Sequence, residues 1–529
     1  MSFDFVHWLA AFAPILVLLV LLLRCHWGGD EAAVAGLAVS IVIAAVLFGG
    51  SADMIAMAAA KGMWTSLSII LVIFPALIIY EVSREAGAFS VIRVGMQSFT
   101  PDKVLQVIAI GWIFVDFLQG ITGFGVPVVV CAPLLISMGV RPLTAVLITL
   151  LGQAWGNTFG TLGLAWDGLV SQADLSDPAI YHTTLLWTTN MLVVVNIATG
   201  FVITWLAGGW QGVRHNAVLV ALLAALQGFG QVGFALLNPM LCNFIVATVS
   251  MGVIFFVGRL PYYRQPAELK DALPVEEKTS ETTDMTLLQA FIPYIFLVVL
   301  AMLVLLNDDI KLALNQWKLA LPFAAKVTAA GFASAGSAAY APLAPLTHSG
   351  AFLLAAAAIG YLFYKSHAQI TEGGLGRILK NSLAKTIPSG IAVIGLIAMS
   401  KVMDETGQTT VLAQGAAAAA GGFYPLLSPF IGLLGTFMTA SNLSSNILFG
   451  GFQQQVAGML SIDKAQLLAA QTVGGAVGSI LSPSKILLGT TAVGILGREG
   501  EVMSRVMGLA LALCAVFGIA VYLSYQLGV

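Results

Sequence analysis

Charge is what this chain has least of. Asp, Glu, Lys and Arg make up 9% of its 529 residues and hydrophobic side chains 59%, whereas an ordinary soluble domain devotes about a quarter of its residues to charge. The 23 Lys plus Arg against 25 Asp plus Glu leave a net charge of −2, so no basic face exists for a nucleic acid to neutralise. Nucleic acid is therefore excluded as a partner. Cys25, Cys131, Cys242 and Cys514 stand singly in apolar segments, the spacing of neither a disulfide framework nor a zinc site. The six histidines contain no H-E-x-x-H, and neither G-x-S-x-G nor G-x-x-x-x-G-K-[ST] occurs. An intramembrane enzyme or a nucleotide-driven pump would lack its chemistry, and no cofactor is expected beyond a coupling ion, H+ or Na+. Asp4 and His7 stand where a signal peptide would carry positive charge, so the apolar run that follows is expected to be a retained helix.

What is present is length without polarity. Mean hydropathy is +0.94, and apolar stretches near the 20 or so residues that cross a bilayer lie at 8–24, 31–50, 64–82, 185–206, 215–235, 238–258, 288–306, 348–364, 385–402 and 505–526. Two further stretches, 104–140 and 421–460, are broken midway by Gly-Ile-Thr-Gly-Phe-Gly at 120–125 and by Ala-Ser-Asn-Leu-Ser-Ser-Asn at 440–446. Their arms are short, so each reads as a re-entrant helical hairpin with its tip at membrane depth. The stretches 143–175 and 464–496 read as broken helices. The expected fold is an all-α polytopic membrane protein of about 12 crossings plus the two hairpins. Sixteen of the 23 Lys and Arg fall in loops on one side of that topology and six on the other, with Lys485 set aside. The excess marks the cytoplasmic side and puts both termini outside.

The segment EVSREAGAFSVI at 81–92 aligns with KVMDETGQTTVL at 401–412 at an offset of 320, which also superposes the hairpin tips and the broken helices. An odd number of crossings separates the copies, so they run in opposite directions. The expected organisation is scaffold helices over 1–63, a first repeat over 64–206, scaffold over 207–258, a polar cytoplasmic linker over 259–287, scaffold and an extracytoplasmic loop over 288–384, and a second, inverted repeat over 385–529. Inverted repeats with paired broken helices are the architecture of secondary transporters. Single glycines in membrane helices more often serve close packing, which accounts poorly for the paired clusters of Ser, Thr, Asn and Gln.

Helix N-termini at the breaks can hold an anion, and freed carbonyls and hydroxyls suit a small cation. The substrate chamber is expected from Gln119, Gly120, Thr122, Gly123, Phe124 and Gly125 at the first tip, and Ser441, Asn442, Ser444, Ser445 and Asn446 at the second. Gln153, Asn157 and Thr158 in one break, and Gln471, Thr472 and Ser482 in the other, complete it, with Lys485 toward the substrate's charge. Phe124 is a candidate gate. Asp116, one turn before the first tip, is the candidate for ion coupling, because intramembrane charge is costly and usually functional. Asp167 is expected to face the outer vestibule. No metal site is certain; Na+ near Ser441, Asn442 and Asn446 is one option.

The motifs FLQGITGFGVPVVV (117–130), TASNLSSNILFGGFQQ (439–454), LLAAQTVGGAVGSILSPSKI (467–486) and TTAVGILGREGE (490–501) together resemble the lactate permease family of bacterial lactate and glycolate transporters. The likeness runs in order from about 70 to the C-terminus and is weak over 207–345. The resemblance implies import of a small 2-hydroxymonocarboxylate across the bacterial inner membrane by cation symport, usually with protons. Gln119 and Asn442 stand where the family pattern has a glutamate and an aspartate, which leaves Asp116 as the nearest proton acceptor and makes sodium a rival. Trp155 stands where a smaller residue is expected. A sulfonate or other organic-anion carrier on the same frame is the alternative, and an anion channel the alternative from another class. The expected partners are the anion, the coupling cation and lipid, with a homodimer left open.

Overall fold

The computed structural model describes residues 4–25, 27–123, 125–173, 175–274, 285–305 and 307–528. Most of the described residues are helical, and ten helical stretches among them, counting Gln408–Thr439 as one, are long and apolar enough to cross a membrane. The chain is thus a multi-pass membrane protein. In order it forms α1 (Phe5–Leu23), α2 (Gly29–Val46), α3 (Ala52–Glu85), α4 (Ala88–Ser98), α5 (Lys103–Ile121), α6 (Val126–Ile136), α7 (Pro142–Gly152), α8 (Gly160–Gln172), α9 (Pro178–Leu237), α10 (Pro239–Val257) and α11 (Ile292–Leu305). After a β segment come α12 (Ser349–Ser366), α13 (Gly374–Glu405), α14 (Gln408–Ala420), α15 (Tyr424–Thr439), α16 (Asn442–Leu460), α17 (Lys464–Gly478), α18 (Pro483–Ala492) and α19 (Glu499–Leu527).

These ten spans are not the ten read from hydropathy. The runs 185–206 and 215–235 both lie in α9, which doubles back at Gly209 (φ 61°, ψ −158°), so that Asn196 Nδ2 donates to Ala224 O at 3.3 Å. The run at 288–306 yields only the 14-residue α11, whereas α5, at 19 residues, is long enough to span. Shortness, the ground for a re-entrant first hairpin, therefore holds only for its second arm α6, with 11 residues. Part of the excess length of α5 is a π-helical stretch at Ala109–Phe114, a widened turn that recurs near functional sites.

The breaks fall where the composition places them, but they are tighter. The chain is out of helix at 122, 123 and 125, with Gly123 at φ 55° and Gly125 at φ 81°, conformations open to glycine without strain. The second tip is only Ala440 and Ser441; Asn442, Ser444, Ser445 and Asn446, expected in the tip itself, form the first turns of α16. The cause is local: Ser441 Oγ accepts from Ser444 N at 3.2 Å and so caps a new helix at once. Further breaks fall at 479–482 and at 153–163, the latter running into α8, where Thr161, Leu162 and Gly163 are left-handed (φ 51°, 53° and 80°).

The offset of 320 also relates the elements. Gly87 (φ 74°) and Gly407 (φ 91°) each end a long helix, α3 or α13, in the left-handed conformation and start the next one. The two long helices pack antiparallel. Their ends are clamped reciprocally, Lys61 of α3 to Glu405 of α13 at 2.8 Å, and Arg377 of α13 to Glu85 of α3 at 2.5 Å. Between the clamps the backbones touch: a Cβ on Gly62 would lie 2.5 Å from Ala398 Cα, the close approach that small residues permit in membrane helices.

The all-α expectation needs one addition. Residues 319–343 form nested antiparallel pairs, β1 (Leu319–Phe323) with β4 (Ser337–Leu343) and, inside them, β2 (Lys326–Val327) with β3 (Ala333–Ser334). Pro322 and Pro342 deny this stretch a helix. The ribbon is pinned to α3, where Lys61 Nζ donates to Ser334 Oγ at 3.0 Å and Ala335 O at 3.1 Å, and Trp64 Nε1 to Tyr340 O and Ala341 O, both at 3.1 Å. Lys61 is 2% exposed. Replacing it with methionine should cost about 3–5 kcal/mol, because Glu405 would stay in a largely buried place without its cation. A thermal-unfolding shift as small as that of a surface lysine would refute the clamp.

Candidate functional site

Four chain breaks meet in the middle of the helix bundle, and their side chains bond to one another across the two halves. Gln119, near the end of α5, donates through Nε2 to Asn157 Oδ1 at 3.0 Å; Asn157 Nδ2 donates to Ser479 Oγ at 2.5 Å. This short chain links the first tip to both broken helices. Beside it, Asn442 Nδ2 donates to Thr158 Oγ1 at 3.2 Å and Thr472 Oγ1 at 3.4 Å, and the two threonine hydroxyls lie 3.3 Å apart. Asn446 Nδ2 reaches Thr472 Oγ1 and Ala165 O, each at 2.8 Å. Gln471 Nε2 donates to Ser445 Oγ at 3.1 Å, Gln471 Oε1 accepts from Gln453 Nε2 at 3.1 Å, and the Tyr424 hydroxyl donates to Gln453 Oε1 at 2.8 Å. All of these side chains are buried.

Glycines make the approach possible. A Cβ on Gly160 would lie 2.8 Å from Gln119 Nε2, one on Gly123 would lie 2.4 Å from Thr161 Oγ1, and one on Gly475 would lie 2.1 Å from Asn442 Oδ1. Several acceptors at this junction have no donor: Gln119 Oε1, Asn442 Oδ1, Asn446 Oδ1, Thr436 Oγ1 and Ser482 Oγ. Buried polar atoms are normally satisfied, so a cluster of free oxygens is chemically specific. It suits a hydroxyl donor or a hard monovalent cation. No three His, Cys, Asp or Glu gather to hold a metal ion among the described residues.

The remaining expected residues are placed as follows. Gly120 packs on the Phe244 backbone, with 3.1 Å from a would-be Cβ to Phe244 Cα. Thr122 turns back to Leu118 O at 2.9 Å instead of joining the file. Gln153 is buried with neither side-chain atom bonded, and so is the Trp155 indole N–H. Ser444 is buried and Ser441 half-buried at the start of α16. Phe124 lies outside the described residues. Lys485, in the first turn of α18, is 5% exposed and makes no ion pair among the described residues. Asp116 stands apart from the file. Its Oδ1 accepts from Asn243 Nδ2 at 3.4 Å, Oδ2 has no partner, and the bare Cα of Gly156, inside the first break, admits it: a Cβ there would lie 2.0 Å from Oδ1.

Sequence reading missed Ser479, Thr161, Asn243, Gln453, Tyr424 and Thr436. Asn243 and Gln453 carried a signal, being amides inside apolar helices; Ser479 and Thr436 carried none, since a lone hydroxyl in a membrane helix usually bonds its own backbone. A cavity of about 710 Å³ lies between α8, α13 and α16 and the β ribbon, and Lys401, Asp404, Gln172 and Gln455 line it. Asp167, expected to face an outer vestibule, is not among its lining residues.

The whole chain has relatives. Residues 7–528 match the L-lactate permease family, so the likeness reaches well before residue 70 and through the scaffold helices. An L-lactate permease of Halalkalibacterium halodurans is 26% identical over 97% of this chain and 94% of its own. The glycolate permease GlcA of Escherichia coli K12 is 28% identical, again over 97% of this chain and 94% of its own. Among solved structures, the YdaH transporter of Alcanivorax borkumensis matches with a TM-score of 0.48 and 13% identity over 90% of each chain.

Proposed function

The chain belongs to the L-lactate permease family, and on that premise we propose that it is a secondary carrier that imports a small 2-hydroxymonocarboxylate, such as lactate or glycolate, together with H+ or Na+. The observation that carries this reading is the pair of buried polar networks, Gln119–Asn157–Ser479 and Thr158–Thr472–Asn442–Asn446, that run side by side through the consecutive residues Asn157 and Thr158 at the meeting of all four breaks. An anion alone would face a desolvation cost of several kcal/mol there. Entering with a cation lowers it. The starts of α16 and α18 offer free N–H groups to a carboxylate, Lys485 adds a charge, and the free amide oxygens offer themselves to the cation or to the substrate hydroxyl.

In this reading the two halves are inverted copies, the hairpins α5–α6 and α15–α16 enter and return on opposite sides, and the protein resides in the inner membrane. The antiparallel packing of α3 on α13 supports it. Na+ gains weight from the neutral Gln119 and Asn442, whose free oxygens resemble alkali-ion ligands; a proton would be carried by Asp116. The test is counterflow of radiolabelled lactate, glycolate and sulfonates in proteoliposomes, with proton and sodium gradients imposed separately. Lactate or glycolate counterflow driven by one gradient is expected. Counterflow of sulfonates alone would overturn the substrate assignment. Replacing Asp116 with asparagine should change the dependence of uptake on pH or on Na+; an unaltered profile in both removes Asp116 from coupling.

A further inference from the structure

The 710 Å³ cavity at the ribbon end carries a cation that the central file does not use. Lys401, on α13, is 8% exposed, lines that cavity, and has no carboxylate within 4.0 Å among the described residues. Its hydrogen bond to the main chain, Nζ to Ser171 O, is long at 3.5 Å. Asp404, one turn further along the same helix, is occupied by Gln455, whose Nε2 donates to Oδ1 at 2.8 Å. A nearly buried ammonium with no carboxylate in contact is costly; Asp404, on the same wall, acts on it only from a distance, and the space the two share is large enough for a small anion.

The cavity is also joined to the central site. α8 and α16 run side by side from one to the other: Asn446 bonds Ala165 O at the file, a Cβ on Gly450 would lie 3.2 Å from Leu169 and 3.5 Å from Gln172, and Gln172 and Gln455 then line the cavity. Nine residues of helix, from Asn446 to Gln455, amount to about 14 Å at 1.5 Å each. Ser400, next to Lys401, bonds both Gln172 Oε1 at 3.3 Å and Ile447 O at 3.1 Å, so the walls of the two sites are one hydrogen-bonded structure. Tyr340 and Ala341 of β4 close the far wall.

We propose that this vestibule is a second binding site for the transported carboxylate, in which Lys401 takes the carboxylate group and Asp404 accepts from the 2-hydroxyl, so that hydroxy acids are selected before they reach the central file. The proposal rests on the carrier reading for its ligand but not for its test. A carboxylate without a hydroxyl leaves Asp404 facing an anion with nothing to donate, which sets lactate apart from propionate.

The experiment is protection of Lys401 in the reconstituted full-length protein against acetylation by acetic anhydride, read by mass spectrometry, with Lys318 on the exposed surface as the internal standard. Saturating lactate should slow labelling of Lys401 about fivefold or more, leave Lys318 unchanged, and protect better than propionate. Equal labelling with and without lactate, or no labelling of Lys401 under either condition, overturns the site; equal protection by propionate overturns the role of Asp404. In uptake, Lys401→Gln should raise KM for lactate about tenfold, the loss of one charge-assisted contact, with the maximal rate within about twofold of wild type. Lys401→Arg should stay close to wild type. Normal wild-type uptake with an unchanged KM in Lys401→Gln sinks the vestibule site and spares the carrier reading. Protection by lactate in a protein that shows no lactate uptake does the reverse.

Discussion

Asn446→Leu is expected to abolish uptake, to less than about one hundredth of the wild-type initial rate, while the protein still reaches the membrane in normal amount. The side chain is fully buried and its Nδ2 serves two acceptors at 2.8 Å, Ala165 O in α8 and Thr472 Oγ1 in α17. Leucine is close to asparagine in size, so packing is largely kept, but Ala165 O and Thr472 Oγ1 each lose a short bond, Thr472 keeping only the longer ones to Asn442 and Thr158, at about 1–3 kcal/mol each. At 1.4 kcal/mol per factor of ten, that disturbance of the file is enough for a hundredfold loss. Ser441→Leu should act in the same direction by removing the cap of α16. Near-normal uptake in Asn446→Leu, measured in vesicles at matched protein content, would show that the file is packing and nothing more.

The second large effect separates two adjacent glycines. A Cβ on Gly474 would lie 1.9 Å from Pro429 O, and one on Gly432 would lie 2.0 Å from Gln471 O, so α15 and α17 touch backbone to backbone at a reciprocal pair. Main-chain oxygens cannot rotate away, and overpacking a well-filled interior costs about 1–3 kcal/mol or more. Gly474→Val should therefore lower the melting temperature and the yield of monodisperse protein. Gly475→Ala is expected to do the opposite: its new methyl meets the tip of a side chain, Asn442 Oδ1 at 2.1 Å, so the protein folds and uptake fails. If both variants lost stability alike, Asn442 would be structural; if both transported normally, the contact between α15 and α17 would be looser than these distances allow.

The sequence by itself determined the helical membrane class, where the chain breaks, and the family. Those are local or compositional properties: an apolar run long enough to cross lipid, glycine and small polar residues where a helix must stop, and motifs whose order survives in the chain. It also marked Gln119, Asn157, Thr158, Asn442, Asn446 and Thr472, because amides and hydroxyls clustered at a break stand out from their apolar surroundings. Tertiary structure alone decided which of these meet. Asn157 and Ser479 are 322 residues apart, and no pattern within either segment shows that one ends where the other begins. It likewise set Gln153 and Thr122 aside from the file, placed Lys401 on a cavity wall rather than in solvent, and made a β ribbon of a stretch read as a loop. The physical reason is common to all: a helix break costs or releases its free energy locally, whereas a buried polar side chain is tolerated only if a partner arrives from elsewhere in the chain, and that arrival is a property of the packed molecule.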